Sequence, residues 1–356
     1  MRTLARWSLA CFARGPEKVL LNPKFAAYGL IATSACGGST LTAVAAGSVD
    51  DASECSATNV TEPTTLATGQ GLPGGIAVTA TQVFWINYGE VSAGPVVGPI
   101  LDGQVVTCAK SGCGGQPTVL ASGLAHPTTM AVDTANVYWT DDNGAVMRLS
   151  ADGGTPITLA TGQSASAIAI EGSNLYLAND DGTINQVPVS GGPVLTLASG
   201  QNNPAGIAVD SAAIYWSSYG DGTIAKVAID GGSPVLLASA QSRPLAIAVD
   251  STNVYFTNDH GGSVVSVPVA GGVPVTLASV DIAQPNDQPT GIAIDGTNVY
   301  WTDGRGNEVL KVGVTGGSPV VVGQGQSFLN GNGVAVDCSN VYWTDLNGTV
   351  MAAPKD

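Results

Sequence analysis

The sequence predicts an all-β protein, a seven-bladed β-propeller of four-stranded antiparallel blades, on three observations. A unit of about forty residues recurs seven times, and each complete copy holds four short runs of β-branched and aromatic residues. The last copy lacks its fourth run, and an unattached segment near the N-terminus supplies one.

Residues 1–35 are predicted to be an export signal. Lys24 stands before an apolar run, Phe25 to Ala35, that closes on small residues and Cys36. This is the layout of a signal peptide, and the run is too short to span a bilayer comfortably. Pro16 and Glu17 interrupt the residues upstream, which places the expected translation start near Val19 to Leu21. The end of the run resembles a bacterial lipoprotein signal, in which a cysteine after small residues is lipidated and becomes the new N-terminus. The resemblance implies Cys36 as the lipidation site, although Thr33 stands where that motif carries a larger aliphatic residue. Plain secretion is the alternative. Residues 36–60, rich in Ala, Ser and Thr and outside the repeat, read as a flexible tether.

The propeller is expected over residues 61–356. The first strand of each unit carries an apolar triplet beginning at Ile76, Met130, Ile168, Ile207, Ile247, Ile292 and Val334. The second is a run such as Val137-Tyr138-Trp139-Thr140-Asp141 or Val341-Tyr342-Trp343-Thr344-Asp345. Both runs are continuously apolar, as inner strands packed on two faces should be. Pairs such as Asp133 with Asn136 and Asp250 with Asn253 join them, at a spacing that favours a side-chain-capped turn over a calcium loop. The third run mixes in polar residues, and prolines such as Pro188, Pro193 and Pro268 frame the fourth, as suits a rim. Thr64 to Thr68 is expected to be the outer strand of the seventh blade, closing the ring. The repeated Trp85, Trp139, Trp216, Trp301 and Trp343 read as blade core.

These Tyr-Trp-Thr-Asp units resemble the repeats of lipoprotein-receptor propellers and, more loosely, bacterial gluconolactonase-like and streptogramin-lyase-like propellers. The resemblance covers about residues 61 to 354 and implies architecture more than activity, since one fold hosts many functions. The receptor repeats usually close six blades, whereas seven copies stand here.

From residue 36 onward only 7 basic residues face 26 acidic ones. Such a charge repels phosphate backbones and anionic headgroups, so no nucleic acid is expected, and a membrane only through a lipid anchor. The expected partner is a protein, a glycan or a cationic ligand, and the expected state is a monomer. Cys11 falls in the signal and Cys36 at the lipid site, which leaves Cys55, Cys108, Cys113 and Cys338. An even remainder suits an oxidising compartment. Cys108 and Cys113 flank a chain reversal and should pair, leaving Cys55 to Cys338.

No catalytic residue, metal ligand or cofactor emerges from the motifs. His126, before Pro127, and His260 read as exposed loop residues, and the strand starts at the channel are small. One face gathers Asp141, Asp142, Asp180, Asp181, Asp221, Asp259, Asp303 and Asp345 in the loops between second and third strands, which read as solvated turns. The repeat is broken by three insertions that the strand count puts on this face, in neighbouring blades six, seven and one. Because long loops on a rigid scaffold carry function, the expected ligand contacts are Tyr88, Glu90, Ile100, Asp281, Asp287 and Phe328. The function expected is that of a non-enzymatic binding or scaffold lipoprotein of the cell envelope; the alternative is a propeller lyase or lactonase-type hydrolase with a metal at the channel mouth.

Overall fold

The structure is a computed structural model and describes residues 62–89, 102–279, 288–304, 306–324 and 333–355. Seven four-stranded antiparallel sheets succeed one another along the chain, and no helix occurs among the described residues. Blade 1 is built from Pro73–Val78, Gln82–Asn87, Gly103–Ala109 and Thr118–Leu124. Blades 2 to 6 repeat that order over 127–160, 165–198, 204–238, 244–279 and 289–324. Blade 7 takes Val334–Val336, Asn340–Asp345 and Thr349–Pro354 from the end of the chain, and its outer strand, Thr64–Ala67, from the beginning. The register sets Thr64 against Ala352 and Thr65 against Met351. Leu66 and Ala67 are buried there, as the broken repeat predicts.

The Tyr-Trp pair explains why the blades stack. Adjacent residues of a strand point to opposite faces, so Tyr serves one inter-blade core and Trp the other. Tyr176 of blade 3 packs with Trp216 of blade 4, and Tyr255 of blade 5 with Trp301 of blade 6. Tyr342 of blade 7 packs with Trp85 of blade 1, joined by Leu66 and Ala67 of the closing strand. All five tryptophans of the repeat are fully buried. Each buried aromatic removes roughly 150–250 Å² from water. The core therefore lies between blades and not within any one of them.

The Asp-x-x-Asn turns are capped as expected, with one addition. Asp250 Oδ1 accepts the backbone N–H groups of Thr252 at 2.7 Å and Asn253 at 2.7 Å, while Oδ2 accepts the hydroxyl of Tyr255 at 2.8 Å. Asp133 with Tyr138, Asp210 with Tyr215, Asp295 with Tyr300 and Asp337 with Tyr342 repeat the arrangement. Burial pushes the Tyr255 phenol up to about 12, helped by the bond to Asp250. Burial also acts to raise Asp250, but the N–H donors outweigh it and hold the carboxyl below its ordinary value.

Candidate functional site

Two kinds of loop build the face that the sequence marks: the second-to-third-strand loops, and the connections from each outer strand into the next blade. The connections turn upward through left-handed backbone at the residue before proline, with φ of 50° at Leu72, 49° at His126, 56° at Asn203 and 55° at Arg243. Such a conformation is strained for a side-chain-bearing residue and persists only where its surroundings enforce it. Here it lifts the His126 and Arg243 side chains between neighbouring loops.

At the junction of blades 1 and 2, Tyr88 directly follows the second strand of blade 1 and Asp142 that of blade 2. The Tyr88 hydroxyl donates to Asp142 Oδ2 at 2.9 Å, and His126 Nδ1 lies 3.3 Å from the same oxygen. The Tyr88 and His126 rings stack at 4.4 Å with planes 7° apart. Burial, then the neighbouring Asp142 charge, pushes the Tyr88 phenol well above its ordinary range, and burial raises the Asp142 carboxyl. His126 is thus a half-buried, stacked residue instead of the exposed loop residue expected, because the left-handed turn aims it at the two loops beside it.

The junction of blades 4 and 5 repeats the trio at the same register positions. Tyr219 donates to Asp259 Oδ2 at 3.0 Å, and the Arg243 guanidinium lies 5.4 Å from the Tyr219 ring, in the place His126 takes at the first junction. His260 Nδ1 sits 3.0 Å from Asp259 Oδ2, and its Nε2 accepts from Arg243 Nη1 at 2.7 Å. His260 is exposed, as expected, but it is not idle. Asp259 is buried. Sequence reasoning singled out Tyr88 and missed Tyr219, although both follow a second strand directly and both trios place a basic residue before a proline, a coincidence visible in the repeat alignment.

Most other carboxylates of this face cap their own loops. Asp141 Oδ1 accepts from Asn143 N at 2.9 Å and Ala145 N at 3.0 Å, Asp181 from Thr183 N at 3.0 Å, and Asp345 from Asn347 N at 2.7 Å. At the channel, hydroxyls stitch blade to blade. Ser217 Oγ accepts from Gly206 N at 2.9 Å within blade 4 and donates to Leu245 O of blade 5 at 2.6 Å. Thr344 does the same with Gly333 N at 3.2 Å and with Gly74 O of blade 1 at 2.6 Å. These bridges use backbone groups that the bulge at the start of several first strands, such as that between Pro204 and Gly206, leaves out of the ladder.

Cys108 and Cys113 are disulfide-bonded, with Cα atoms 5.5 Å apart. Cys338 is also disulfide-bonded. Glu90, Ile100, Asp281, Asp287 and Phe328, together with Cys36 and Cys55, lie outside the described residues. Of the expected ligand contacts, the structure therefore places Tyr88.

No protein-family model and no curated protein matches the chain. Among solved structures the fold is similar to virginiamycin B lyase from Staphylococcus aureus, with a TM-score of 0.68 at 14% identity over 83% of this chain and 99% of that one. It is also similar to a streptogramin B lyase, with a TM-score of 0.67 at 14% identity over 82% of this chain and 96% of that one. A chain of a nidogen/laminin complex matches with a TM-score of 0.50 at 21% identity over 60% of this chain and 86% of its own. At these identities the likeness is one of fold, a propeller architecture shared by lyases and by binding proteins.

Proposed function

We propose that this chain is a non-enzymatic binding module of the bacterial cell envelope, built on repeats of the Tyr-Trp-Thr-Asp type. It is exported through residues 1–35, lipid-anchored at Cys36 and held off the membrane by residues 36–60. The ligand face is the acidic one, with contacts from Tyr88, Glu90, Ile100, Asp281, Asp287 and Phe328. The observation that carries this reading is the Tyr88–His126–Asp142 trio. It holds a half-buried aromatic ring in one orientation beside the blade 1 insertion, and a preordered amphipathic ring binds at low entropic cost. A protein, glycan or cationic ligand suits its acidic surroundings.

The test uses the full chain as bait for envelope extract. Tyr88→Ala is expected to lose the partner that the unaltered chain retains, while a change on the opposite face such as Ser233→Ala keeps it; the reverse pattern would place the ligand on the other face. Cys36→Ser is expected to abolish lipid labelling.

A second reading, a propeller lyase or lactonase, draws on the His260–Asp259 pair, and the virginiamycin B lyase neighbour is also known as a catalytically inactive histidine-to-alanine variant. A carboxylate on Nδ1 is the usual orienter of a general base. Here, however, Arg243 already donates to Nε2, the nitrogen a base would use. Among the described residues no three His, Cys, Asp or Glu side chains converge as metal ligands. Stoichiometric Ca²⁺, Mg²⁺ or Zn²⁺ retained through dialysis would favour the enzyme.

A further inference from the structure

The face that carries the Asp-x-x-Asn turns holds a set of lysines whose positions repeat from blade to blade. In blade 6, Asp295 Oδ1 accepts from Thr297 N and Asn298 N, and its Oδ2 accepts the Tyr300 hydroxyl at 2.9 Å. The same Oδ2 receives Lys355 Nζ at 2.7 Å, reaching back from the first residue after the third strand of blade 7. In blade 7, Asp337 Oδ2 accepts the Tyr342 hydroxyl at 2.8 Å and Lys110 Nζ at 2.7 Å, and Lys110 holds the corresponding place in blade 1. Both ammonium groups are largely buried.

Blade 4 has every part of this arrangement except the ammonium. Asp210 Oδ1 accepts from Ala212 N at 2.8 Å and Ala213 N at 2.7 Å, and Oδ2 accepts the Tyr215 hydroxyl at 2.9 Å. The residue of blade 5 that corresponds to Lys355 is Val269; both donate their backbone N–H to the matching turn, Val269 to Thr252 O and Lys355 to Ser339 O. Where Lys355 fills the space between blades 6 and 7, a groove of about 570 Å³ opens between blades 4 and 5, lined by Asp210, Tyr215, Lys226, Val235 and Val269 among others. We propose that this groove binds a primary alkylammonium group, its charge on Asp210 Oδ2 and its methylene stem along Val269 and Val235.

Lys226 does not oppose this. It donates to Val269 O at 2.5 Å, as Lys311 donates to Lys355 O, so the blade 6 arrangement already accommodates two ammonium groups with one carboxylate. Val189 and Val314 stand at the corresponding positions beside Asp133 and Asp250, with Arg148 and Ser266 where blade 4 has Lys226; the groove chosen is the one beside Asp210, whose volume of about 570 Å³ is lined from both blades. The site lies opposite Tyr88 and stands whether or not that face binds a partner.

The test is an NMR titration of the full chain with two probes, 1,5-diaminopentane and Nα-acetyl-lysine methylamide. Saturable shifts are expected at Ala228 and Gly231. Loss of the charged hydrogen bond in Asp210→Asn should weaken binding roughly tenfold. Val269→Lys should abolish binding and raise the melting temperature, because the new side chain occupies the groove as Lys355 does in its own. Tighter binding of the lysine derivative assigns the groove to a protein's lysine; tighter binding of the diamine assigns it to a free amine. Absence of saturable binding of either probe, or binding unchanged in Asp210→Asn or retained in Val269→Lys, would overturn the proposal.

Discussion

One aspartate carboxylate joins turn to strand in five of the blades, and blade 1 shows what its loss entails. Blade 1 carries Thr79 where Asp is usual, and Phe84 where Tyr is usual. Thr79 Oγ1 still accepts from Gln82 N at 3.3 Å, but no phenol needs a partner. Phenol and carboxylate are both absent from that blade. Asp250→Thr is expected to cost about 1–3 kcal/mol by urea denaturation, because it takes away the acceptor for the Tyr255 hydroxyl proton. Adding Tyr255→Phe should recover part of that loss, and strictly additive costs would show that the two groups do not act as a unit. The turn was legible in the sequence as Asp-x-x-Asn. Its link to Tyr255 was not, because that depends on how the hairpin register folds the tyrosine back over the turn. The Tyr88–Asp142 bond was further out of reach: it crosses 54 residues and two blades.

At the scale of the strand, blade count, closing strand and the Cys108–Cys113 pair were all readable, because each follows from the repeat period or from a local reversal. The inter-blade stitching was not. Thr344 and its equivalents read as ordinary strand residues, since a hydroxyl gives no sign of whether it faces its own blade or the next. Thr344→Val is expected to cost about 1 kcal/mol, because Gly333 N and Gly74 O are left with only the 3.4 Å bond between them. Thermal melts are the check, and an unchanged midpoint would mean that water replaces the bridge. Deleting residues 62–69 should lower the midpoint further, because it bares the edge of Thr349–Pro354 and uncovers the Trp85 and Tyr342 core.

Over the whole molecule the two faces differ in charge. Of the six basic residues described beyond the tether, Lys110, Arg148, Lys226, Lys311 and Lys355 are bonded across blades on the Asp-x-x-Asn face, and Arg243 alone serves the other. The tyrosines set an alkaline limit. Burial raises seven phenols above 10, Tyr88, Tyr138, Tyr176, Tyr215, Tyr219, Tyr255 and Tyr342. Their contribution is complete below the unfolded value of 10 and is lost as pH rises through the folded values, because the unfolded chain releases its protons first. Stability should therefore fall steeply above pH 10, with tyrosinate absorbance and loss of β-sheet circular dichroism rising together; tyrosines that ionise while the sheet signal persists would contradict this. Asp250, Asp295 and Asp337 act at the other end. Burial opposes their ionised form, but hydrogen bonds and, for the last two, lysine partners outweigh it and depress them below 3.8. Their contribution is kept above that value and lost as the pH falls through their folded values.

The closing strand also orders events in time. Thr65 meets Met351 across 286 residues, and at roughly 5–20 residues per second a ribosome would make the first of them about 15–60 s before the second. Throughout that interval Thr64–Ala67 has no partner, and the first core that Trp85 needs lacks the half supplied by blade 7. Blades 2 to 6 can assemble in sequence as they emerge, but the circle must wait for its final strand. The ring is therefore locked only after every other blade has been made.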